Sequence, residues 1–306
     1  MATSEGRLDE AARAGWLYYV AGNTQDQIAQ KLGVSRQSAQ RLVSLAVSEG
    51  LVKVRIDHPI ANCLDLARQL KERFGLAFSE VVPTDPGSAS TTLGVAEAAA
   101  AEIERTIMAL GTGRTLKRVV ELLPTIDCPQ HRVVSLTGNI APDGSAAYYN
   151  VVFTMADHVK ARSFPMPLPV IASSPEERIM LHSQAMIRPT LALAAEADVT
   201  FVGIGDLGPE APLFLDGFIS RDELAALQAA GAVGEIVGWA FDREGRLIEG
   251  ITNPRVASAP IPPRDRSLVV ALAMGERKLP GIRAALRGGL VNGLITDEAT
   301  AEALLA

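Results

Sequence analysis

The sequence predicts an α/β protein with two domains: a winged helix-turn-helix over residues 1–57 and an open, largely parallel α/β sheet over residues 58–306. Three observations support this. Two short helices, each with a capping residue at its start, are predicted within residues 24–49. Beyond residue 58, short apolar segments alternate with helical segments, as in parallel sheets that helices cover. The length of 306 residues also favours about two domains.

Both helices near the amino end have start and stop signals. Thr24 and Gln27 have the spacing of a capping box, and Gly33 ends the first helix after about two turns. Ser35 is expected to cap the second helix, which Gly50 ends. The inward side of the second helix is predicted to be small or apolar, with Ala39, Leu42, Val43 and Ala46.

Two flanking elements complete the predicted first domain. Apolar residues recur at helical spacing between residues 7 and 20, which indicates a supporting helix. Apolar and basic residues alternate over residues 52–56, which indicates a short basic strand, the wing. The small residues, the turn glycine and the two caps therefore follow the order of a helix-turn-helix.

Polar residues of the second helix face away from the predicted core. Arg pairs with guanine and Gln with adenine, and a capped helix N-terminus favours a phosphate. We therefore expect this helix to lie in the major groove of double-stranded DNA. The expected contacts come from Ser35, Arg36, Gln37, Ser38, Gln40, Arg41 and Ser44. A three-helix bundle without a role in DNA binding is the alternative interpretation.

Short apolar segments in the second domain end at a glycine, an aspartate or a turn. The predicted strands lie over residues 107–110, 133–136, 199–204, 236–241, 268–274 and 291–295. The predicted helices lie over residues 64–74, 95–101, 116–123, 175–184, 221–230, 280–287 and 297–305. The first of these helices is expected to connect the two domains. In open parallel sheets ligands bind beyond the carboxyl ends of the strands, which is where this sequence places its glycine-rich loops.

One such loop, Gly111-Thr112-Gly113-Arg114-Thr115, follows a predicted strand and enters a helix. Its N–H groups and polar side chains suit a phosphate or a row of hydroxyls. It is neither a Walker loop nor a dinucleotide fingerprint, because the Lys-Ser/Thr ending and the third glycine are missing. An ordinary tight strand-to-helix turn explains the same glycines equally well. Further polar or glycine-rich candidates at strand ends are Asn139, Asp206, Gly231, Ala232, Lys278 and Asp297. An N-cap role for Asp297 and a solvated position for Lys278 are the alternatives.

Composition argues against several classes of function. Cys63 and Cys128 form no disulfide framework and no metal-ligand spacing, so we expect neither a metal nor another cofactor. No apolar run approaches the roughly 18 residues of a membrane span, and we expect a cytoplasmic protein without a membrane partner. The net charge is −6, but residues 1–55 hold seven Lys and Arg against five Asp and Glu. Such weak basicity suits a module that binds DNA by joining half-sites in an oligomer.

The ordered set of motifs resembles the SorC family of sugar-responsive transcriptional regulators over nearly the whole chain. The matching segments are the helix-turn-helix of residues 24–54, Gly-Thr-Gly-Arg-Thr-Leu at 111–116, Gly-Ala-Val-Gly at 231–234, Gly-x-x-Lys at 275–278 and Leu-Ile-Thr-Asp-Glu at 294–298. The resemblance implies an effector domain similar in fold to sugar-phosphate isomerases and deaminases. It further implies a homo-oligomer, a tetramer, that regulates carbohydrate or polyol genes and is not an enzyme. A sugar, polyol or sugar phosphate would control this regulator.

By the same resemblance, residues 111–115 would hold the phosphate or terminal hydroxyls of the effector. The remaining polar groups would fall to Asn139, Asp206, Lys278 and Asp297. Family members commonly have a Trp near the position of Thr112, so the smaller residue here bears on which sugar fits.

Two other functions stay open at this stage. A sugar-phosphate isomerase or deaminase with an N-terminal helical module is the first alternative. The segment 201–209 looks like the strand and loop that hold a catalytic His in glucosamine-phosphate deaminases, but Pro209 follows the glycine here. Without that His no proton-transfer set is assembled. The second alternative is an acidic domain that makes subunit contacts and binds no ligand.

Overall fold

The computed structural model describes residues 4–52, 60–84, 107–123, 125–141, 143–145 and 151–306. The chain forms two compact units, Met1–Pro59 and Ile60–Ala306. The predicted helix at 95–101 and the predicted wing, apart from Val52, lie outside the described residues. No helix in the described ranges is long and apolar enough to cross a membrane.

The first unit contains three described helices: α1 (Ser4–Tyr19), α2 (Gln25–Leu32) and α3 (Arg36–Ser48). The capping box forms as predicted, because the Gln27 N–H donates to Thr24 Oγ1 and the Thr24 N–H donates to Gln27 Oε1 at 2.9 Å. Gly33 ends α2 at φ +66°, a left-handed conformation that suits glycine. Ser35 caps α3 by accepting from the Ser38 N–H at 3.1 Å.

The core of the first unit follows the predicted apolar spacing. Its buried residues are Ala11, Ala14, Ile28, Ala29, Ala39, Leu42, Val43 and Ala46. Five of these eight side chains are alanines, so the three helices approach closely. The inward side of α3 is buried by this packing, and the other side of the helix faces solvent.

Nine described strands belong to the second unit: β1 (Phe78–Val82), β2 (Ile107–Leu110), β3 (Arg132–Ile140), β4 (Arg162–Pro169), β5 (Val199–Val202), β6 (Ala232–Ile236), β7 (Trp239–Asp242), β8 (Leu268–Leu272) and β9 (Gly293–Asp297). Seven form one sheet in the order β1-β9-β8-β5-β2-β3-β4, and every pairing in it is parallel. The remaining two, β6 and β7, form an antiparallel hairpin. The predicted open parallel sheet is confirmed.

The described helices of the second unit are α4 (Ala61–Phe74), α5 (Arg114–Leu122), α6 (Val152–Val159), α7 (Pro175–Ser183), α8 (Arg188–Ala195), α9 (Pro212–Leu215), α10 (Arg221–Ala229), α11 (Leu279–Arg287) and α12 (Glu298–Leu305). Two apolar clusters pack between helices and strands: α4, α8, α11 and α12 contribute to one, and α5 and α6 to the other. Helix α4 was predicted as a connector between domains. Its apolar side, including Leu66 and Leu70, is instead buried inside the second unit, where α4 contacts β1 and α12.

Three strand predictions need correction. The two edge strands, β1 and β4, were not predicted. Strand β4 contains three prolines, which a sheet edge tolerates because the outer side of an edge strand makes no ladder hydrogen bonds. The single strand predicted over 236–241 is wrong. The chain reverses there, with Val237 at φ +47° and Gly238 at φ +91°, so that Ile236 pairs with Trp239 across a two-residue turn.

Candidate functional site

A cavity of about 680 Å³ opens beyond the carboxyl ends of four neighbouring strands, β3, β2, β5 and β8. This volume is typical of small-molecule sites. Segments that follow these strands supply much of the wall: Thr112–Thr115 after β2, Gly203–Asp206 after β5, Met274, Arg277 and Lys278 after β8, and Ala141, Asp143 and Ser145 after β3. The turn of the β6–β7 hairpin and residues near α9 complete it.

The loop after β2 enters helix α5 at the cavity. Gly113 is the N-cap of α5 and offers no side chain to the first N–H groups of the helix. Thr112, Arg114 and Thr115 line the cavity beside these N–H groups. The loop therefore presents hydrogen-bond donors and a positive charge to whatever occupies the cavity.

The β6–β7 hairpin brings a carboxylate into the wall. Gly205 and Glu235 exchange two backbone hydrogen bonds, each 3.0 Å long, which hold the hairpin to the loop after β5. A Cβ atom on Gly205 would lie 2.0 Å from Glu235 Oε1, so only glycine leaves room for this side chain. The other oxygen, Oε2, accepts from the Gly238 N–H at 2.7 Å. The backbone thus fixes the Glu235 carboxylate.

Glu235, Asp206 and Lys278 interact electrostatically in this part of the cavity. Burial raises the pKa of Glu235, and the Gly238 N–H and the positive charge of Lys278 only partly oppose it. Burial also lowers the pKa of Lys278, against the negative charges of Glu235 and Asp206. Asp206 is itself buried, and its Oδ1 accepts from the Gly208 N–H at 3.3 Å. Two carboxyl groups and one ammonium group therefore share this part of the cavity wall.

Another carboxylate, that of Asp216, lies near the loop after β2. Burial raises the pKa of Asp216, and the positive charge of Arg114 opposes this shift. Asp143, in contrast, is exposed and accepts from the Ser145 N–H and hydroxyl, which lowers its pKa. The wall of the cavity thus combines carboxylates with cationic side chains, an arrangement that can donate to and accept from hydroxyl groups.

In the first unit, α3 presents a polar surface to solvent. The exposed residues are Ser35, Arg36, Gln37, Gln40, Arg41 and Ser44. Ser38 is half-buried, and its N–H and hydroxyl both bond to Ser35 Oγ, at 3.1 and 2.9 Å. Arg36 Nε lies 3.5 Å from Asp26 Oδ1 of α2, and both side chains are about two-thirds exposed. The predicted DNA-contacting residues thus share one accessible surface, apart from Ser38.

Comparison with known proteins assigns the chain to a family. Residues 58–306 match the family model described as "Putative sugar-binding domain". The erythritol catabolism regulatory protein EryD of Brucella abortus is 36% identical over 302 residues, which cover 96% of each chain. This chain belongs to the SorC family of sugar-binding transcriptional regulators. The transcriptional regulator LsrR of Klebsiella pneumoniae is 32% identical over 311 residues, which cover 96% of this chain and 92% of LsrR.

Solved structures agree with the fold of this SorC-family chain. The full-length sorbitol operon regulator SorC of Klebsiella pneumoniae superposes with a TM-score of 0.73 and 27% identity, over 98% of this chain and 99% of that one. The comparisons confirm the predicted family, the fold class and the general function of a transcriptional regulator with a sugar-binding domain. They support this function over the enzyme alternative.

About half of the predicted effector-binding residues of this SorC-family chain line the cavity. Those in its wall are Thr112, Gly113, Arg114, Thr115, Asp206 and Lys278. Those outside the wall are Gly111, Asn139, Gly231, Ala232 and Asp297. The loop after β2 and the segments after β5 and β8 thus meet as expected, whereas the five remaining residues lie elsewhere.

The residues outside the wall have structural roles or positions. Asp297 caps α12 by accepting from the Thr300 N–H at 3.1 Å, as the N-cap alternative held, and its Oδ2 accepts from Thr84 at 3.1 Å. Gly111 is buried at the end of β2, where its N–H continues the sheet ladder. Gly231 and Ala232 lie where α10 passes into β6, at the opposite end of the hairpin from its turn. Asn139 is half-buried in β3, and its Oδ1 has no hydrogen-bond partner among the described residues.

Several charged residues of the cavity were not predicted: Asp143, Asp216, Glu235 and Arg277. One signal was available for Glu235, because a lone charged residue inside an apolar strand needs a polar partner. An Asp-Gly pair at Asp143 and another at Asp216 mark turns, but turns alone do not indicate which side chain faces a ligand. Glu235 and Asp216 come from the β6–β7 hairpin and the segment at the end of α9, whereas Asp143 and Arg277 follow β3 and β8.

Proposed function

We propose that this SorC-family chain binds operator DNA through α3, and that a small sugar, polyol or sugar phosphate in the cavity changes its affinity for that DNA. The observation that carries the proposal is the cavity at the strand ends, whose wall holds the Glu235 carboxylate, fixed by the backbone, together with the donor loop of α5. The names of two relatives, an erythritol catabolism regulator and a sorbitol operon regulator, support a polyol or sugar as effector.

The exposed surface of α3 supports the DNA half of the proposal. Arg36 and Gln40 have side chains that pair with guanine and adenine in the major groove. Ser35, Gln37, Ser38, Arg41 and Ser44 would contact phosphates or neighbouring bases. The first unit is only weakly basic, so a single copy has few phosphate contacts to offer. A homo-oligomer, a tetramer by the family resemblance, would join two half-sites and multiply their affinities.

Complementary groups in the cavity support the effector half. Hydroxyl groups donate as well as accept, so a polyhydroxylated molecule can bond to Asp206 and Glu235 through its O–H groups. Its oxygen atoms can accept from Arg114, Lys278 and the N–H groups at the start of α5. Thr112, Gly113 and Thr115 would border the same end of the molecule.

Coupling between cavity and DNA follows from linkage. An effector shifts operator binding only by its different affinity for the DNA-binding and non-binding states of the oligomer. A tenfold change in operator affinity requires about 1.4 kcal/mol of such difference. A few hydrogen bonds made in one state and not in the other supply this energy. As a DNA-binding regulator the protein acts in the cytoplasm.

Fluorescence anisotropy tests the proposal. The full chain selects an operator from a random duplex library, and the selected duplex is then titrated at fixed salt with and without tetritols, pentitols, hexitols, aldoses and their phosphates. We expect at least one compound to change the operator affinity about tenfold or more. Arg36→Ala serves as a control that lowers operator affinity without touching the cavity. Absence of operator binding, or operator binding that no compound alters, would contradict the proposal.

A further inference from the structure

We propose that the cavity takes an uncharged polyol or sugar in preference to its phosphate ester. This inference deepens the proposed function and rests on it, because it names the chemical class of the effector. This preference follows from the balance of positive and negative charges in the cavity wall. The described lining residues hold three cationic side chains and four carboxyl groups: Arg114, Arg277 and Lys278 against Asp143, Asp206, Asp216 and Glu235.

Two of the three cations already have carboxylates beside them. Arg277 Nη1 lies 2.8 Å from Glu210 Oε2, and this ion pair is exposed. Arg114 and Asp216 both line the cavity, and the charge of Arg114 acts on the Asp216 carboxyl. A phosphate that approached Arg114 would therefore meet the negative charge of Asp216 as well.

The third cation, Lys278, lies in the cavity wall with Glu235 and Asp206 and is under the influence of both carboxyl groups. The hairpin and the Gly238 N–H hold Glu235 in the wall, and Asp206 is buried and accepts from the Gly208 N–H. Burial favours the neutral form of Glu235. Even with Glu235 protonated, the described lining residues have no excess of positive charge.

A phosphate ester brings one or two negative charges at neutral pH, which this wall does not neutralise. An uncharged polyol adds no charge. Its hydroxyl groups donate to the carboxylates and accept from Lys278, Arg114 and the N–H groups of the α5 terminus, so each fixed group gains a partner. The same carboxylates that disfavour a phosphate thus contribute directly to binding of a polyol.

Isothermal titration calorimetry of the full chain tests this preference with matched pairs of probes at pH 7.5. Each pair is an alditol of four to six carbons and its terminal phosphate, including erythritol and D-sorbitol. For the tightest-binding alditol we expect an affinity at least about tenfold higher than that of its phosphate. Equal affinity, tighter binding of the phosphate, or failure of every alditol to bind would overturn the inference.

A charge-removing variant sharpens the test. Asp216→Asn takes away the carboxylate beside Arg114, so the ratio of phosphate to alditol affinity should rise about tenfold. Asp265→Asn, an exposed substitution outside the cavity, should leave the ratio unchanged. An unchanged ratio in Asp216→Asn would count against the inference. If a phosphate binds tighter and still alters operator binding, the inference alone fails; if no probe alters operator binding, the proposed function fails.

Discussion

Replacement of Gly205 by alanine tests whether Glu235 must hold its observed position. The new Cβ atom would lie 2.0 Å from Glu235 Oε1 and 2.8 Å from its carboxyl carbon, whereas ordinary van der Waals contact begins near 3.4 Å. The carboxylate must therefore move by about 1.4 Å. It then loses the hydrogen bond that the Gly238 N–H donates to Oε2 at 2.7 Å.

The size of the effect follows from this lost bond. A hydrogen bond contributes about 0.5–3 kcal/mol, with the upper part of that range when one group is charged. For a unit of this size we expect the melting temperature to fall by about 1 to 12 °C. If the effector bonds to Glu235 in its observed position, effector affinity should fall about ten- to hundredfold as well.

Differential scanning fluorimetry and calorimetric titration of the alditol that binds wild type measure both effects. Asp265→Asn, an exposed substitution outside the cavity, is the control for both measurements. An unchanged melting temperature in Gly205→Ala would refute the packing argument. A lower melting temperature with normal effector affinity would show that Glu235 stabilises the fold without contacting the effector.

Four further substitutions test the remaining parts of the account. Arg36→Ala should weaken operator binding by about 1–3 kcal/mol and leave effector affinity unchanged; an equal loss of both would remove α3 from the DNA contact. Asp26→Ala removes the carboxylate that lies beside Arg36 Nε. In anisotropy titrations, the affinity of this variant for the operator should fall more than its affinity for random DNA. An unchanged ratio of the two affinities would show that Asp26 does not position Arg36. Glu235→Gln tests the pH dependence. Because the pKa of Glu235 is raised in the folded protein, its contribution to stability is complete below the pKa of the unfolded chain and is lost as the pH rises through the pKa of the folded protein. Between these two pKa values, the melting temperature of the wild type should fall relative to that of Glu235→Gln. Melting temperatures that change in parallel with pH would contradict this. Arg114→Ala should blunt the effector response in operator titrations while operator binding persists, and a normal response would place Arg114 outside the binding site.

Local rules explain why much of the fold was predictable. The caps at Thr24 and Ser35 and the stop at Gly33 depend on neighbouring residues only, and the structure confirms all three. Strands β2 and β8 are continuous apolar runs, and Thr200 is the one polar residue of β5, because helices cover both sides of the sheet there. The loop after β2 lies at the cavity because parallel strands place their carboxyl ends together.

Non-local contacts explain what the sequence did not show. The turn at Val237 and Gly238 interrupts an apolar run, and a β-branched residue at positive φ is an uncommon choice there. Because the turn was not predicted, the sequence did not indicate that Glu235 would lie at the strand ends and pair with Gly205, thirty residues earlier in the chain. Asp297 shows the opposite error, because a polar residue at a strand end was needed for a helix cap. Position at the sheet edge was thus predictable, whereas the direction of each side chain was not.

The central claim is that cavity and operator are thermodynamically coupled, and reciprocity tests it most directly. The effector dissociation constant is measured by calorimetry with the full chain alone and with the chain saturated by its selected operator. The account predicts that operator changes effector affinity by the same factor by which effector changes operator affinity, and that this factor is about ten or more. An effector affinity that is identical with and without operator would contradict the account.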